Sequence, residues 1–231
     1  MIKITAPKSH PRYLSLYYRD LLSEGVQRGI TSLAGLTAHG RGEAFDYLLG
    51  EKTHGFAKES IKVAAIMLVL AKHPVISVNG NSAALVAKEL VILSKLLNAP
   101  LEINLFHSSS KREKAIKKYL IKNGAKNILL PQKNVTIKHL SSNRKYVNKQ
   151  GIAKADVVFV PLEDGDRTEA LIKNGKKVIT VDLNPLSRTA KKANITIVDN
   201  IVRAMPLLIK TVKKYNNKKT LHQAIAGLVV K

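Results

Sequence analysis

The chain has 231 residues, 45% of them apolar, and sets 39 Lys and Arg against 16 Asp and Glu for a formal charge of +23. That size suits a single domain, 1–231, able to bury a real core; with no cysteine there is no disulfide framework, thiolate nucleophile or thiolate metal site. The longest apolar run, 63–71, is far shorter than the roughly 20 residues a membrane helix needs, and MIKITAPKSHPR lacks the apolar core of a secretory signal, so the expected location is the cytoplasm with no membrane partner.

Residues of about 9–72 read as an N-terminal helical segment. In SHPRYLSLYYRDLLSEGVQRG, Ser9 can cap, Pro11 suits an early helical position, and Leu14, Tyr18, Leu21, Leu22 and Val26 recur at helical spacing before Gly29 closes the helix. Arg19, in the middle of it, reads from spacing alone as solvent-facing. In the next stretch, TSLAGLTAHGRGEAFDYLLGEKT, a small-residue helix over 32–38 is expected to break at Gly40 and Gly42, with a second helix from Glu43 to Gly50. Two glycines around Arg41 would let the backbone approach a ligand while the guanidinium forks onto it. A plain helix–helix turn accounts for the same residues, and His39 reads equally well as a polar cap. The helix that follows, AKESIKVAAIMLVLAKH, is apolar on most faces and ends before Pro74. Its apolar circumference over 61–72 exceeds what one side of a sheet covers, which points to a homodimer; burial inside one subunit is the competing account.

From about 74 to 214 short β-branched runs alternate with helices, the pattern of an α/β, Rossmann-like, mostly parallel sheet with helices on both faces. Strands are expected at 75–78, 102–106, 128–130, 157–160, 178–181 and 195–198. Ligands bind outside the carboxyl ends of such strands, so PLEDGDRTE, DLNPLSRT and DN, which follow the last three, should line one site together. Asn79-Gly80-Asn81-Ser82 follows the first strand and opens a helix, where free N–H groups make a ready anion site or simply turn the chain. Pro131–Gly151 reads as a long loop able to cover the site. A helix despite Pro206 and a short C-terminal helix complete the chain.

The charge would attract any polyanion. Aromatics are only 5%, Trp is absent, and the basic residues are dispersed, mostly lysines on helix faces. That is no base-stacking platform, and an anionic small molecule is the better match than nucleic acid.

Taken together, SHPRY, LYYR, AHGRGEAFDYLLGE, HPVISVNGN, INLF, ADVVFVPLEDGDRTEAL and DLNPLSRTA…ITIVDNIVRA resemble archaeal phosphopantothenate synthetase, the 4-phosphopantoate–β-alanine ligase of coenzyme A biosynthesis. The resemblance spans about residues 7 to 210 and is poorest over 107–150. It implies a homodimer that joins 4-phosphopantoate to β-alanine through an acyl adenylate, converting ATP to AMP and pyrophosphate with Mg²⁺. The positions matching the family's nucleotide contacts are Arg19, Arg41, Asp182, Leu183, Asn184, Arg188, Thr189, Asn200 and Ile201. Of these, Arg41 and Arg188 suit phosphate oxygens and would supply the catalytic charge. ATP having contacts of its own, Asn79, Gly80, Asn81 and Ser82, with His39, are left for phosphopantoate. In the acidic cluster Glu163, Asp164 and Asp166, either Asp164 and Asp166 help place Mg²⁺, or they cap the helix beginning near Arg167. A nucleotide-binding module without turnover is the rival reading.

Overall fold

The computed structural model describes residues 6–229. Three helices come first, α1 (Tyr13–Gln27), α2 (Leu33–Leu48) and α3 (Gly55–Leu70). The next elements are β1 (Pro74–Val78), α4 (Gly80–Leu97), β2 (Leu101–Ile103), α5 (Ser110–Lys122), β3 (Ile128–Leu129), β4 (Gln132–Thr136) and β5 (Tyr146–Val147). Then follow β6 (Val157–Phe159), α6 (Gly165–Lys173), β7 (Lys177–Val181), α7 (Arg188–Lys192), β8 (Ile195–Ile197), α8 (Ile201–Tyr215) and α9 (Lys218–Val229).

Six strands form one parallel sheet in the order β3-β2-β1-β6-β7-β8. The order reverses between β1 and β6, paired from Pro74↔Val157 to Ile76↔Phe159. A crevice opens at such a switch point because the connections leave toward opposite faces. Strands β1, β6 and β7 are buried almost throughout, which is why they read as unbroken apolar runs. α3, α4 and α8 cover one face through a core that includes Ile61, Leu68, Leu90, Phe159 and Met205. The other face carries α6 and a smaller core of Val75, Val158, Val178, Leu171, Val147 and Ile152.

Four sequence expectations change. α1 begins at Tyr13 without a side-chain cap, so Ser9 and Pro11 lie in the turns before it. α2 is continuous: Gly40 and Gly42 do not break it, because its backbone ladder needs no side chain and Gly42 lies against Leu183. The apolar circumference of α3 is used within the subunit, packed by α8, α9 and β8, so it gives no reason for a dimer. Residues 131–151 are not a loop. β4 and β5 pair antiparallel around a 3₁₀ turn at Asn143–Lys145, and Ile137, Val147 and Ile152 bury their side chains in the smaller core.

This β-arm is tied to the sheet by a buried carboxylate. Glu102, on β2, accepts the backbone N–H of Asn148 (2.9 Å) and of Ile152 (2.6 Å). Burial pushes its carboxyl up to about 7, although both N–H bonds and nearby Arg167 pull the other way. The fit leaves no room at Gly151, where a Cβ would collide with the Glu102 carboxylate and stand 2.9 Å from Leu129 Cδ1. Gly151→Ala should therefore lower the unfolding free energy by about 1–3 kcal/mol, the usual cost of overpacking. Denaturant melts of the two proteins would measure it, and equal midpoints would contradict the close approach.

Candidate active site

The site is assembled where α2 crosses the carboxyl ends of the strands. Asn79 caps α4 with a reciprocal capping box, its Oδ1 accepting from Ser82 N (2.9 Å) while Ser82 Oγ accepts from Asn79 N (3.1 Å). Asn79 Nδ2 also donates to the carbonyls of Pro161 (2.9 Å) and Leu162 (3.0 Å), joining the turns after β1 and β6. Asn81 faces α2: its Nδ2 donates to Gly35 O (2.8 Å) and its Oδ1 accepts from Thr31 Oγ1. A side chain at position 35 would strike Asn81 and Thr31, so the crossing requires glycine there. At the far end of α2, Asp46 accepts from Asn200 Nδ2 (2.8 Å) and from Arg203 Nη2 (2.5 Å) at the start of α8. Between these ties Gly42 meets Leu183.

α1 is clamped to α2 in turn. Arg19 Nε donates to both oxygens of Glu43 (2.9 and 3.1 Å), and Ser15 Oγ (2.6 Å) and Tyr47 OH (2.5 Å) donate to the same carboxylate. Burial alone would push the Glu43 carboxyl up, but these bonds outweigh it and hold it down to about 2.

A cleft of about 340 Å³ opens at the switch point, within the usual size range of ligand sites. Its walls are the turn at Asn79–Asn81, the stretch Leu105–His107 after β2, Leu162–Asp164 after β6, and α2 from Ser32 to Arg41, with Arg112 and Arg144 reaching in. Arg144, from the β-arm, is saturated. Its Nε donates to Asn104 Oδ1 (3.0 Å), its Nη2 to Glu163 Oε2 (2.7 Å) and its Nη1 to Asp164 Oδ2 (2.6 Å). Arg41 and Arg112 have no carboxylate partner among the described residues.

The positions expected to contact nucleotide lie outside the lining of this cleft, apart from Arg41. β7 and β8 pair Val181 with Ile197, so the turns starting at Asp182 and Asp199 leave side by side. Asp182 accepts from Asn184 N (2.9 Å) and Ser187 Oγ; its carboxyl is pushed up by burial, those two bonds opposing. Leu183 and Ile201 are buried, and Asn200 caps α8. Thr189 is buried and donates to Glu163 O (2.9 Å). Arg188 is 58% exposed and lies over Asp166 and Glu169. Of the proposed phosphopantoate residues, Asn79, Gly80 and Asn81 line the cleft. Ser82 does not: it is fully buried with its hydroxyl spent on the capping box. His39 does not line it either, and lies on the Glu43 and Arg19 side of α2, where burial lowers its pKa.

Of the two readings of the acidic cluster, the structure shows the helix cap at Asp164. Asp164 caps α6, accepting from Arg167 N (2.9 Å), and gives its other oxygen to Arg144; Asp166 pairs with Arg188. Among the described residues no group of three His, Asp or Glu could hold a metal. Asp164 thus has both oxygens taken by guanidinium and N–H groups, whereas Asp166 is 69% exposed and holds Arg188.

Sequence reasoning missed Arg112 and Arg144. Arg112 belongs to the dispersed basic residues, and Arg144 lies in the stretch 131–151 that reads as a loop. The available signal was the residue type, since each is an arginine among lysines close to the end of a strand in space.

A doubly wound sheet with a guanidinium-lined cleft at its switch point and polar turns beside it is the architecture of an α/β protein with a small-molecule site at the carboxyl ends of its strands. The chain belongs to the phosphopantothenate/pantothenate synthetase family, whose sequence model matches residues 56–229. It is 53% identical over 243 residues to the 4-phosphopantoate–beta-alanine ligase of Thermococcus onnurineus, covering 97% of this chain and 92% of that one. To the ligase of the same name from Methanosarcina mazei it is 46% identical over 237 residues, covering 96% and 93%. To that from Methanospirillum hungatei it is 52% identical over 200 residues, covering 86% and 81%.

The clamp makes a pH test. Glu43 has a folded pKa near 2 against an ordinary 4.5, so the stability it contributes is complete above 4.5 and lost as pH falls toward 2. Glu43→Gln should melt lower than the native chain at pH 7, with the gap narrowing between pH 4.5 and 2. A gap that stays constant across that window would show that the Arg19–Glu43 pair contributes nothing.

Proposed function

We propose that this chain is the ATP-dependent ligase that condenses (R)-4-phosphopantoate with β-alanine to 4′-phosphopantothenate in coenzyme A biosynthesis. The observation that carries the reading is Arg41. It has no carboxylate partner among the described residues, lines the cleft, and sits next to Gly42, where a Cβ would meet Leu183 of the Asp182–Asn184 turn. A guanidinium shared by an acid-binding cleft and a nucleotide turn suits a reaction that brings two anions together.

A carboxylate must gain a leaving group before an amine can displace oxygen from it. With ATP on the turns Asp182–Asn184, Arg188–Thr189 and Asn200–Ile201, and phosphopantoate in the cleft, the substrate carboxylate attacks the α-phosphorus and pyrophosphate leaves. The amine of β-alanine then adds to the acyl carbon of the adenylate, and AMP leaves with the former carboxylate oxygen. Arg41 would offset charge developing on the α-phosphate, while Asp182 and Asn184 suit ribose or base hydrogen bonds. Arg188 would leave Asp166 and Glu169 to reach the phosphates. Mg²⁺ enters as the counter-ion of ATP, that is, as part of the substrate. We read Asn79–Asn81 as the acid subsite and Arg19 as the residue that holds the nucleotide wall through Glu43.

A homodimer remains part of the proposal on different grounds from α3. Leu48 is 84% exposed and Phe56 is 51% exposed. They flank His54, which bonds Leu49 O (2.6 Å) and stacks on Phe56 at 5.1 Å, so this corner holds its apolar groups rigidly outward. Light scattering at micromolar concentration should give twice the chain mass, and Phe56→Glu should shift it toward the monomer; a native chain that is only monomeric would remove the dimer.

The reaction is tested by its products. ATP, Mg²⁺, 4-phosphopantoate and β-alanine together should yield AMP and pyrophosphate in step with 4′-phosphopantothenate. Arg41→Ala should slow turnover at least tenfold, since removing a charged donor at a developing oxyanion costs about 3 kcal/mol. ADP with inorganic phosphate as products would end the adenylate route, and no amide product at all would end the ligase reading.

A further inference from the structure

Arg112 is the third residue of α5, a helix whose other basic side chains are lysines. Its own side chain runs to the opening of α4. Nη2 donates to Ile30 O (3.2 Å) and Nη1 to His107 O (2.6 Å). Nε is sealed from solvent with no acceptor, and no carboxylate pairs with the group. Of the five N–H groups of a guanidinium, two are used, both on neutral carbonyls. A cation held that way is under-satisfied, and burial duly lowers its pKa. The other guanidinium deep in the cleft, Arg144, carries two carboxylates and Asn104.

The surroundings of Arg112 are those of an anion. A Cβ on Gly80 would stand 3.1 Å from Arg112 Nη2, so the guanidinium lies against the first turn of the 18-residue α4. The capping box consumes Ser82 N, but the N–H groups of Gly80 and Asn81 have no acceptor among the described residues. Helix-terminal N–H groups beside an unpaired guanidinium match a doubly charged, tetrahedral group better than a neutral one. Arg41 borders the nucleotide turn at the other wall, so the reacting carboxylate belongs there and the substrate's opposite end faces Arg112.

We propose that Arg112, with the Gly80 and Asn81 amides, binds the phosphate of the acid substrate and makes the enzyme select the phosphorylated acid over free pantoate. This rests on the ligase reading and adds to it an orientation and a specificity residue. Arg112 is not a catalytic residue: it lies at the end of the substrate that does not react.

Steady-state kinetics of the full-length native enzyme, Arg112→Gln and Arg112→Lys, each with 4-phosphopantoate and with pantoate, test it. Arg112→Gln should raise the KM for 4-phosphopantoate roughly ten- to hundredfold, the worth of a hydrogen bond to a charged group. Its KM for ATP should stay within about twofold of native, and its preference for 4-phosphopantoate over pantoate should fall by the same factor as the 4-phosphopantoate KM rises. Arg112→Lys should recover part of the preference, because it keeps the charge without the fork. Should the Gln variant melt too low to assay, inhibition by inorganic phosphate, competitive against 4-phosphopantoate, should weaken in the Lys variant. Native-like discrimination in Arg112→Gln, or native-like phosphate inhibition in Arg112→Lys, would overturn the proposal while leaving the ligase intact. Failure of the native enzyme to form the amide would instead strike the underlying reading.

Discussion

The site rests on one buried carboxylate held between two guanidiniums. Glu163 has no exposed side-chain surface, and it accepts from Arg167, itself fully buried, and from Arg144, which is 5% exposed. Arg167 continues to Ser77 on β1 (3.1 Å), Arg144 to Asn104 beyond β2, and the Glu163 carbonyl to Thr189 on α7. Asp164, the next residue, caps α6 and completes a cluster of two positive and two negative charges. Removing four charges from water is expensive, and such a cluster adds little net stability compared with apolar side chains of the same volume. What it does add is uniqueness. Only one arrangement of β1, β2, the β-arm, α6 and α7 leaves none of these charges unpaired, so the floor of the cleft and the nucleotide side are fixed to each other.

How much of this was legible in the chain follows from what each feature depends on. The strands were, because a strand covered on both faces must be apolar throughout, and Val157–Phe159 or Lys177–Val181 can be little else. The turns after them were legible as polar turns at the open end of the sheet for the same reason, and of these Leu162–Asp164 lines the cleft. The continuity of α2 was not, because Gly40 and Gly42 are poor helix formers in isolation and are kept helical by the crossing over Asn81, Leu183 and Asn200. The β-arm was hidden because only a few of its side chains are buried, and its anchoring carboxylate, Glu102, lies on another strand. Asp164 reads the same way as a cap or a metal ligand until its partners are known, and its partner Arg144 is 20 residues away.

The excess of positive charge divides into two uses. Lysines dominate the outer faces, as on α5, where flexible, strongly hydrated ammonium groups remain in solvent. Arginines do the buried work, at 144 and 167, where a planar fork has its hydrogen bonds set in advance. A chain of +23 that takes anionic substrates also gathers them from a distance, and that contribution to the capture rate fades as salt rises.

The crossing of α2 has a consequence for the order in which the protein comes into being. Asp46 bonds Asn200 across 154 residues of sequence, and Asn81 meets Gly35 across 46. On the ribosome the N-terminal helices emerge first; the α4 part of their docking ground follows soon after, and the α8 part is made last. The cleft end of α2 can therefore settle early against α4, while Asp46 waits for Asn200 and Arg203 near the end of the chain. A nascent chain thus holds the α2 wall of the cleft at one end only, and the ties that fix the other end close late in translation.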